Sequence, residues 1–301
     1  MANRWLKQYT LFIQLEKSLS GNTVSSYLFD LQRLSEYVGE VDVADLKAEM
    51  LEAFFAMLHD LGLHARSRAR MLSSLRSFYG FLLERAYIQE NPCDRLDAPE
   101  LGFHLPEVLS LEEIDRMLRV EPIGAYALSR NRALLETLYS CGLRVSELVG
   151  LTWSHCSFAE GYIHVEGKGG KQRLVPISDA VIQRMNDWMV ERNELNIKPG
   201  HEDFVFLGRN GRALSRSMVF RIVRLFAEEA GIERVISPHT FRHSFATHLL
   251  EGGANLRVIQ QMLGHESIQT TEIYTHMDKT YLREQIQLFH PRNQSNNRRM
   301  T

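Results

Sequence analysis

The sequence has little cysteine. Cys93, Cys141 and Cys156 are the only three, an odd number without C-x-x-C spacing. That argues against a disulfide framework or a zinc ribbon, and it suits a reducing compartment. No run approaches the roughly 18 apolar residues needed to span a bilayer, so no membrane insertion is expected. The first eleven residues carry Arg4, Lys7 and Gln8 with no apolar segment behind them. No secretory signal is therefore expected, and the expected location is cytoplasmic. Internal repeats and low-complexity tracts are also missing. What remains is ordinary globular material: 301 residues, 44% hydrophobic and 24% charged. At roughly 100–200 residues per domain, this length predicts about two domains.

Neither charge sign dominates, since 35 basic residues face 37 acidic ones for a net charge of −2. The distribution says more. Arginine outnumbers lysine 28 to 7. Leu61 to Leu83 contains no acid but holds Arg66, Arg68, Arg70 and Arg76. Phe204 to Ala227 is again acid-free, with Arg209, Arg212, Arg216, Arg221 and Arg224. Gly167 to Ser178 holds Lys168, Lys171 and Arg173 and no acid. Three such stretches in a near-neutral chain suggest surfaces kept for a polyanion, and arginine suits bidentate phosphate contact. The alternative is solvated helix faces.

The first hundred residues read as a small helical bundle with no alternating strand. Ser20-Gly21-Asn22-Thr23 is a helix start, followed by Tyr27, Leu28, Leu31, Leu34 and Val38 at helical spacing. Asn91-Pro92 ends that bundle, and Ala98-Pro99 and Leu105-Pro106 bias the chain towards extended structure. The expected division is a helical domain at 1–97, a linker at 98–107 and a second domain at 108–301. Ser110-Leu111-Glu112-Glu113 opens the latter as a helix start with an acid-rich first turn. A helix through Arg132–Tyr139, a stop at Cys141-Gly142-Leu143 and a short helix from Val145 follow. Tyr162–Val165 and Arg173–Pro176 form a predicted β-hairpin around Gly167-Lys168-Gly169-Gly170-Lys171. Phe204–Leu207 is a candidate third strand, and helices resume at Ser215. The residues from Pro291 onward read as a disordered basic tail.

The residues able to do chemistry gather late in the chain. Six of the twelve histidines follow residue 238. In Pro238-His239-Thr240-Phe241-Arg242-His243, His239 and Arg242 are three apart, so a helix starting there puts both on one face, capped by Ser237 or Thr240. His265 follows Leu263-Gly264, and Tyr274 lies nine residues later. Upstream, Arg144 follows the Gly142 turn, and Lys168 sits at the hairpin tip. This set lacks the acidic cluster of a two-metal nuclease. It does hold cations for the non-bridging oxygens of a phosphoryl group and a nucleophile in Tyr274. A tyrosine hydroxyl has an unperturbed pKa of about 10, so ionising it at pH 7 costs ~4 kcal/mol, which neighbouring arginine and histidine must offset.

Taken together, Cys141-Gly142-Leu143-Arg144-Val145-Ser146-Glu147-Leu148, His239-Thr240-Phe241-Arg242-His243, Leu263-Gly264-His265 and Tyr274 resemble the boxes of the tyrosine recombinase (phage integrase) family. The match covers nearly the whole chain. The N-terminal helices and the ending Phe289-His290-Pro291-Arg292 resemble the Xer subfamily. The resemblance implies a mainly α protein with a small antiparallel β-sheet: an all-helical, SAM-like N-terminal bundle and a mixed α+β catalytic domain, closing on DNA as a C-shaped clamp. It implies that Arg144 and Arg242 clamp the scissile phosphate, Lys168 is general acid to the 5′ hydroxyl, and His239 assists proton transfer at Tyr274. His265 would hydrogen-bond a phosphate oxygen, and Tyr274 would attack. Glu147 would orient Arg144. No metal, ATP or other cofactor is implied. The implied partners are a double-stranded recombination site, a XerC-like second recombinase in a heterotetramer, and a septal DNA translocase.

Around that centre, Arg66, Arg68, Arg70 and Arg76 are expected to face DNA phosphates as a set. Arg216 and Arg221 would lie on a helix able to enter a major groove, and Lys171 and Arg173 would follow the backbone near the cut. His243 and His248 read as packing groups, since no third ligand accompanies them, and His276 as local support. Leu282, Ile286 and Phe289 form an apolar stripe that the resemblance assigns to docking on a neighbouring protomer, with packing on its own domain as the alternative. Three other readings use overlapping residues: a type IB topoisomerase, a mobile-element integrase, and a DNA-binding regulator without chemistry.

Overall fold

The computed structural model describes residues 2–99, 107–123, 126–167, 172–264 and 276–293. The chain divides into two compact units, residues 1–104 and 105–301.

The first unit has no strand among its described residues and is built on four helices, α1 (Ala2–Leu11), α2 (Gly21–Val38), α3 (Ala48–Asp60) and α4 (Ala65–Glu84). Ser20 caps α2 by accepting from the Thr23 amide, as the start signal predicts; such a cap stabilises by about 1 kcal/mol. Phe54, Leu72, Leu75, Phe78 and Tyr79 are almost wholly buried in one core with Tyr9, Ile13 and Leu34. One ion pair ties α2 to α4 beside that core. Buried Asp30 accepts both terminal nitrogens of Arg70 at 2.5 and 2.9 Å, and the Ser74 hydroxyl as well. Leu96 is still packed in this unit, where its carbonyl accepts from Arg76. Of the expected linker, residues 100–106 lie outside the described residues.

The second unit opens at Leu109, fully buried, with its amide donated to the Ser244 hydroxyl. Helix α5 (Leu111–Arg119) starts with a reciprocal capping box between Ser110 and Glu113. Helix α6 (Leu128–Cys141) is buried almost all round and forms the spine of the unit. Gly142 ends it in the left-handed region at φ +57°, where a Cβ would lie 2.5 Å from the Phe245 ring. Only glycine combines that dihedral with that approach. The short α7 (Val145–Val149) follows at once.

The hairpin forms as predicted: β2 (Tyr162–Glu166) pairs antiparallel with β3 (Gln172–Pro176), and β1 (Cys156–Ser157) pairs with β2 on the other side. Residues 204–207 are not the third strand. They bridge only at Thr152 with Phe204 and at Leu207 with Ala213. Between those points the Val205 amide donates to the Leu151 carbonyl, and the Trp188 indole donates to the Val205 carbonyl. Side-chain and loop partners thus satisfy groups that a ladder would otherwise pair.

The remaining helices are α8 (Asp179–Asn193), α9 (Arg216–Glu229), α10 (Pro238–Gly252), α11 (Leu256–Leu263) and α12 (His276–Phe289). The expected apolar stripe of α12 packs within its own unit. Leu282 and Ile286 are 2% exposed, in a cluster with Phe245, Leu249, Val258 and Met262. Gly252 makes room for that packing, since a Cβ there would lie 2.6 Å from the Phe289 carbonyl oxygen. Of the expected tail, residues 294–301 lie outside the described residues. Pro291 to Asn293 continue in a helical turn. Arg292 forks onto buried Glu136 at 3.0 and 2.6 Å and reaches Asp115 at 2.7 Å. A buried carboxylate on α6 therefore fixes what composition alone reads as disordered.

Candidate active site

Three helix ends and one strand build the site. Gly142 turns the chain so that Arg144 becomes the residue just before α7. The Glu147 carboxylate, one turn on, accepts the Arg144 amide at 2.7 Å and its guanidinium at 2.8 Å. Glu147 thereby caps α7 and holds the side chain that precedes it. On α10, Pro238 sits in the first turn and Ser237 caps, with Thr240 returning the bond. This places His239 at the exposed N-terminal end and turns Arg242 inward, 6% exposed.

Arg144 and Arg242 converge on one turn. Arg242 donates to the Gly142 carbonyl at 2.8 Å and to the Leu263 carbonyl at 2.6 Å. Arg144 donates to the Gly264 carbonyl at 3.1 Å, and its side chain remains 41% exposed. The Leu263 and Gly264 carbonyls lie at the C-terminal end of α11, where helix geometry leaves them without intrahelical partners, and the Gly142 carbonyl lies at that of α6. The turn ends in Gly264 at φ +65° and leads directly into His265.

The charges shape one another. Burial pushes the Glu147 carboxyl up, but hydrogen bonds from Arg173 and Arg144 outweigh it and hold it below the ordinary carboxylate value. Burial, then the neighbouring Arg144, brings Arg242 down to about 10, which leaves it charged at neutral pH. The protein packed around part of its ring, then the charges of Arg242, His243 and Arg144, hold His239 below the ordinary histidine value. A neutral imidazole at pH 7 can accept a proton.

Of the residues singled out in the sequence, Arg144, Glu147, His239 and Arg242 are brought together. Lys168, Lys171, His265 and Tyr274 lie outside the described residues. Arg173 does not fit the expectation that it follows DNA: it is 6% exposed and donates inside the protein, to Glu147 and to the Met262 carbonyl. The strand pairing accounts for its burial. In the hairpin register Arg173 pairs with Val165, and cross-strand partners share a face, here the buried one.

Arg216 and Arg221 stand exposed on α9. Among the α4 arginines, Arg66, Arg70 and Arg76 are exposed and Arg68 is half-buried; Arg70 also donates to Asp30, and Arg76 to the Leu96 carbonyl. Two of the four thus also hold their own unit together. His248 is a packing group as read, at 2.9 Å from the Tyr139 hydroxyl. No group of three metal-ligating side chains occurs among the described residues. No described helix is long and apolar enough to cross a membrane.

Known proteins match this chain along its length. Residues 107–280 match the phage integrase family, and residues 6–86 match the N-terminal SAM-like domain of phage integrases. The tyrosine recombinase XerD of Chlorobaculum tepidum is 44% identical over 95% of this chain and 96% of its own length. The XerD of Staphylococcus aureus strain Mu50 is 37% identical over 95% of this chain and 98% of its own. Among solved structures, the XerH site-specific recombinase in a post-cleavage complex on palindromic difH substrate superposes with a TM-score of 0.70. It is 25% identical, and the match covers 88% of this chain and 79% of that one. With the integrase model spanning more than half of its residues and XerD relatives spanning nearly all of them, the chain belongs to the phage integrase family of tyrosine recombinases.

Proposed function

We propose that this recombinase cuts and rejoins a specific duplex site through a 3′-phosphotyrosyl intermediate, and that it resolves chromosome or plasmid dimers at cell division. The observation that carries the reading is the convergence of Arg144 and Arg242 on the turn at residues 262–264, immediately before His265. Two guanidinium forks in one place meet the demand of a phosphoryl-transfer transition state for positive charge at the non-bridging oxygens.

In this reading the Tyr274 hydroxyl oxygen attacks the phosphorus and its proton passes to His239. The bond to the 5′ oxygen breaks, and Lys168 protonates the leaving oxygen. His265 donates to a phosphate oxygen. The 5′ hydroxyl of a partner strand then attacks the phosphotyrosine and reverses each transfer, so the phosphodiester bond energy is kept. Lys171, Arg216 and Arg221 add contacts to the DNA backbone or base edges. The proposed setting is cytoplasmic, with a XerC-like second recombinase and a septal DNA translocase as partners. The XerD name of its relatives and their near full-length match favour this over a mobile-element integrase or a topoisomerase.

Covalent trapping tests the reading. The protein and a XerC-like partner are incubated, without metal, with nicked duplexes carrying a Xer-type site, then run on a denaturing gel. The expected result is a protein–DNA adduct that disappears in Tyr274→Phe. Binding without any adduct, at either nick polarity, would overturn it.

A further inference from the structure

The chemistry just described uses Arg144 and Arg242 and gives no work to Arg173. Yet Arg173 is tied more firmly than either. Its two terminal nitrogens lie 2.8 and 2.9 Å from the two oxygens of Glu147, a fork on a fork. Its Nε donates to the Met262 carbonyl at 2.7 Å. Its stem runs against Gly264, where a Cβ would lie 3.2 Å from Arg173 Cδ. The carbonyls of residues 262, 263 and 264 thus each accept from a different arginine: Arg173, Arg242 and Arg144. These carbonyls form the negative end of α11, so three cations complement it.

Charge gives the arrangement a purpose. A carboxylate that held Arg144 alone would orient it but also cancel its charge. Because Arg173 takes both oxygens of Glu147, the cluster holds three guanidiniums against one carboxylate. The surplus is positive where a phosphate would arrive. All three guanidinium nitrogens of Arg173 already donate inside the protein, to Glu147 and to the Met262 carbonyl.

We propose that Arg173 is a positioning residue of the recombination reaction: from β3 it fixes Glu147 and the end of α11, and through them the guanidinium of Arg144 and the turn on which both clamping arginines converge. The proposal rests on the reading that Arg144 and Arg242 hold the scissile phosphate.

Single-turnover adduct formation on a nicked site tests it, alongside equilibrium DNA binding across a range of salt. Arg173→Met is expected to slow adduct formation at saturating DNA by roughly 100-fold, the usual scale for losing a group that orients a reacting one. Affinity should stay within about threefold, with the salt slope unchanged, since no phosphate contact is lost. Arg173→Lys should recover only part of the rate, having charge but no fork. Adding Arg173→Met to Glu147→Gln should cost far less than it costs alone. A wild-type rate in Arg173→Met overturns the proposal. So does a loss of affinity with a slope shallower by about one phosphate, which would mean direct DNA contact. Should Arg173→Met not fold, the same readings are taken on Arg173→Lys, and a wild-type rate there overturns it equally. If the wild-type protein forms no adduct, the phosphotyrosyl reading falls and takes this proposal with it. If it forms one and the Arg173 variants match it, this proposal falls alone.

Discussion

Two groups of arginines in the second unit behave in opposite ways. Around Glu147, Arg173 and Arg242 are buried and donate to fixed protein acceptors. On α9, Arg216 and Arg221 stand exposed, while the opposite face of the helix buries Val219, Ile222, Val223 and Phe226. The first group trades solvent for geometry, and its charges are directional. The second keeps its solvent and offers charge without fixed direction. A guanidinium is therefore not informative by type. Whether it sets a rate or an affinity depends on what holds it.

The strongest way to break that contrast is to remove the carboxylate at its centre. Glu147→Ala would leave Arg144, Arg173 and Arg242 without their shared counter-ion. Chemical denaturation should show a loss of about 3–5 kcal/mol, the scale for breaking a buried pair. Because the folded carboxyl is held below its ordinary value, this stabilisation is full above the ordinary carboxylate range and lost as pH falls through the lower folded value. Glu147→Gln should accordingly be least harmful in acid.

Next in size is the turn that feeds Arg144 into place. Gly142→Ala combines a left-handed backbone with a Cβ only 2.5 Å from the Phe245 ring. A loss of about 2 kcal/mol is expected, with a matching fall in Tm, and an unchanged Tm would show that the Phe245 ring yields freely.

A third effect depends on pH and sits at the far end of α12. His290 is fully buried; burial first, then the charge of Arg292 and the neighbouring His248, push it down to about 3. Since its folded value is depressed from 6.5, stability is full above that value and declines as pH falls from there towards 3. Thermal melts across that window should flatten in His290→Phe relative to the wild type.

The smallest stability change belongs to α9. Arg216→Ala and Arg221→Ala should each move the unfolding free energy by under about 0.5 kcal/mol. Each that contacts a phosphate should weaken DNA binding and lower the salt slope by ~0.9. A rate defect at saturating DNA would instead place that arginine with the first group.

Much of this was legible from residues alone. Helix starts at Ser20, Ser110, Ser215 and Ser237 are written in near neighbours, because a cap is satisfied within three residues. The hairpin and the Gly142 stop are local for the same reason. The boxes holding Arg144, Glu147, His239 and Arg242 were also visible, as residue types at fixed spacing.

Other features could not be read along the chain. Arg70 meets Asp30, Arg173 meets Glu147 and Arg292 meets Glu136 across long separations. Each looked like a cation free for DNA or solvent. Likewise residues 204–207 have strand composition but find unrelated partners, and the α12 stripe finds its groove within its own unit.

By itself, then, the sequence determined the local turns, the helix faces and the inventory of reactive groups, because those depend on dihedrals, caps and periodicity over a few residues. Only the tertiary structure decided which arginines are committed inside the protein and which remain for a ligand. That choice depends on which carboxylates and carbonyls packing brings within hydrogen-bond reach, and on how much water the surrounding core removes.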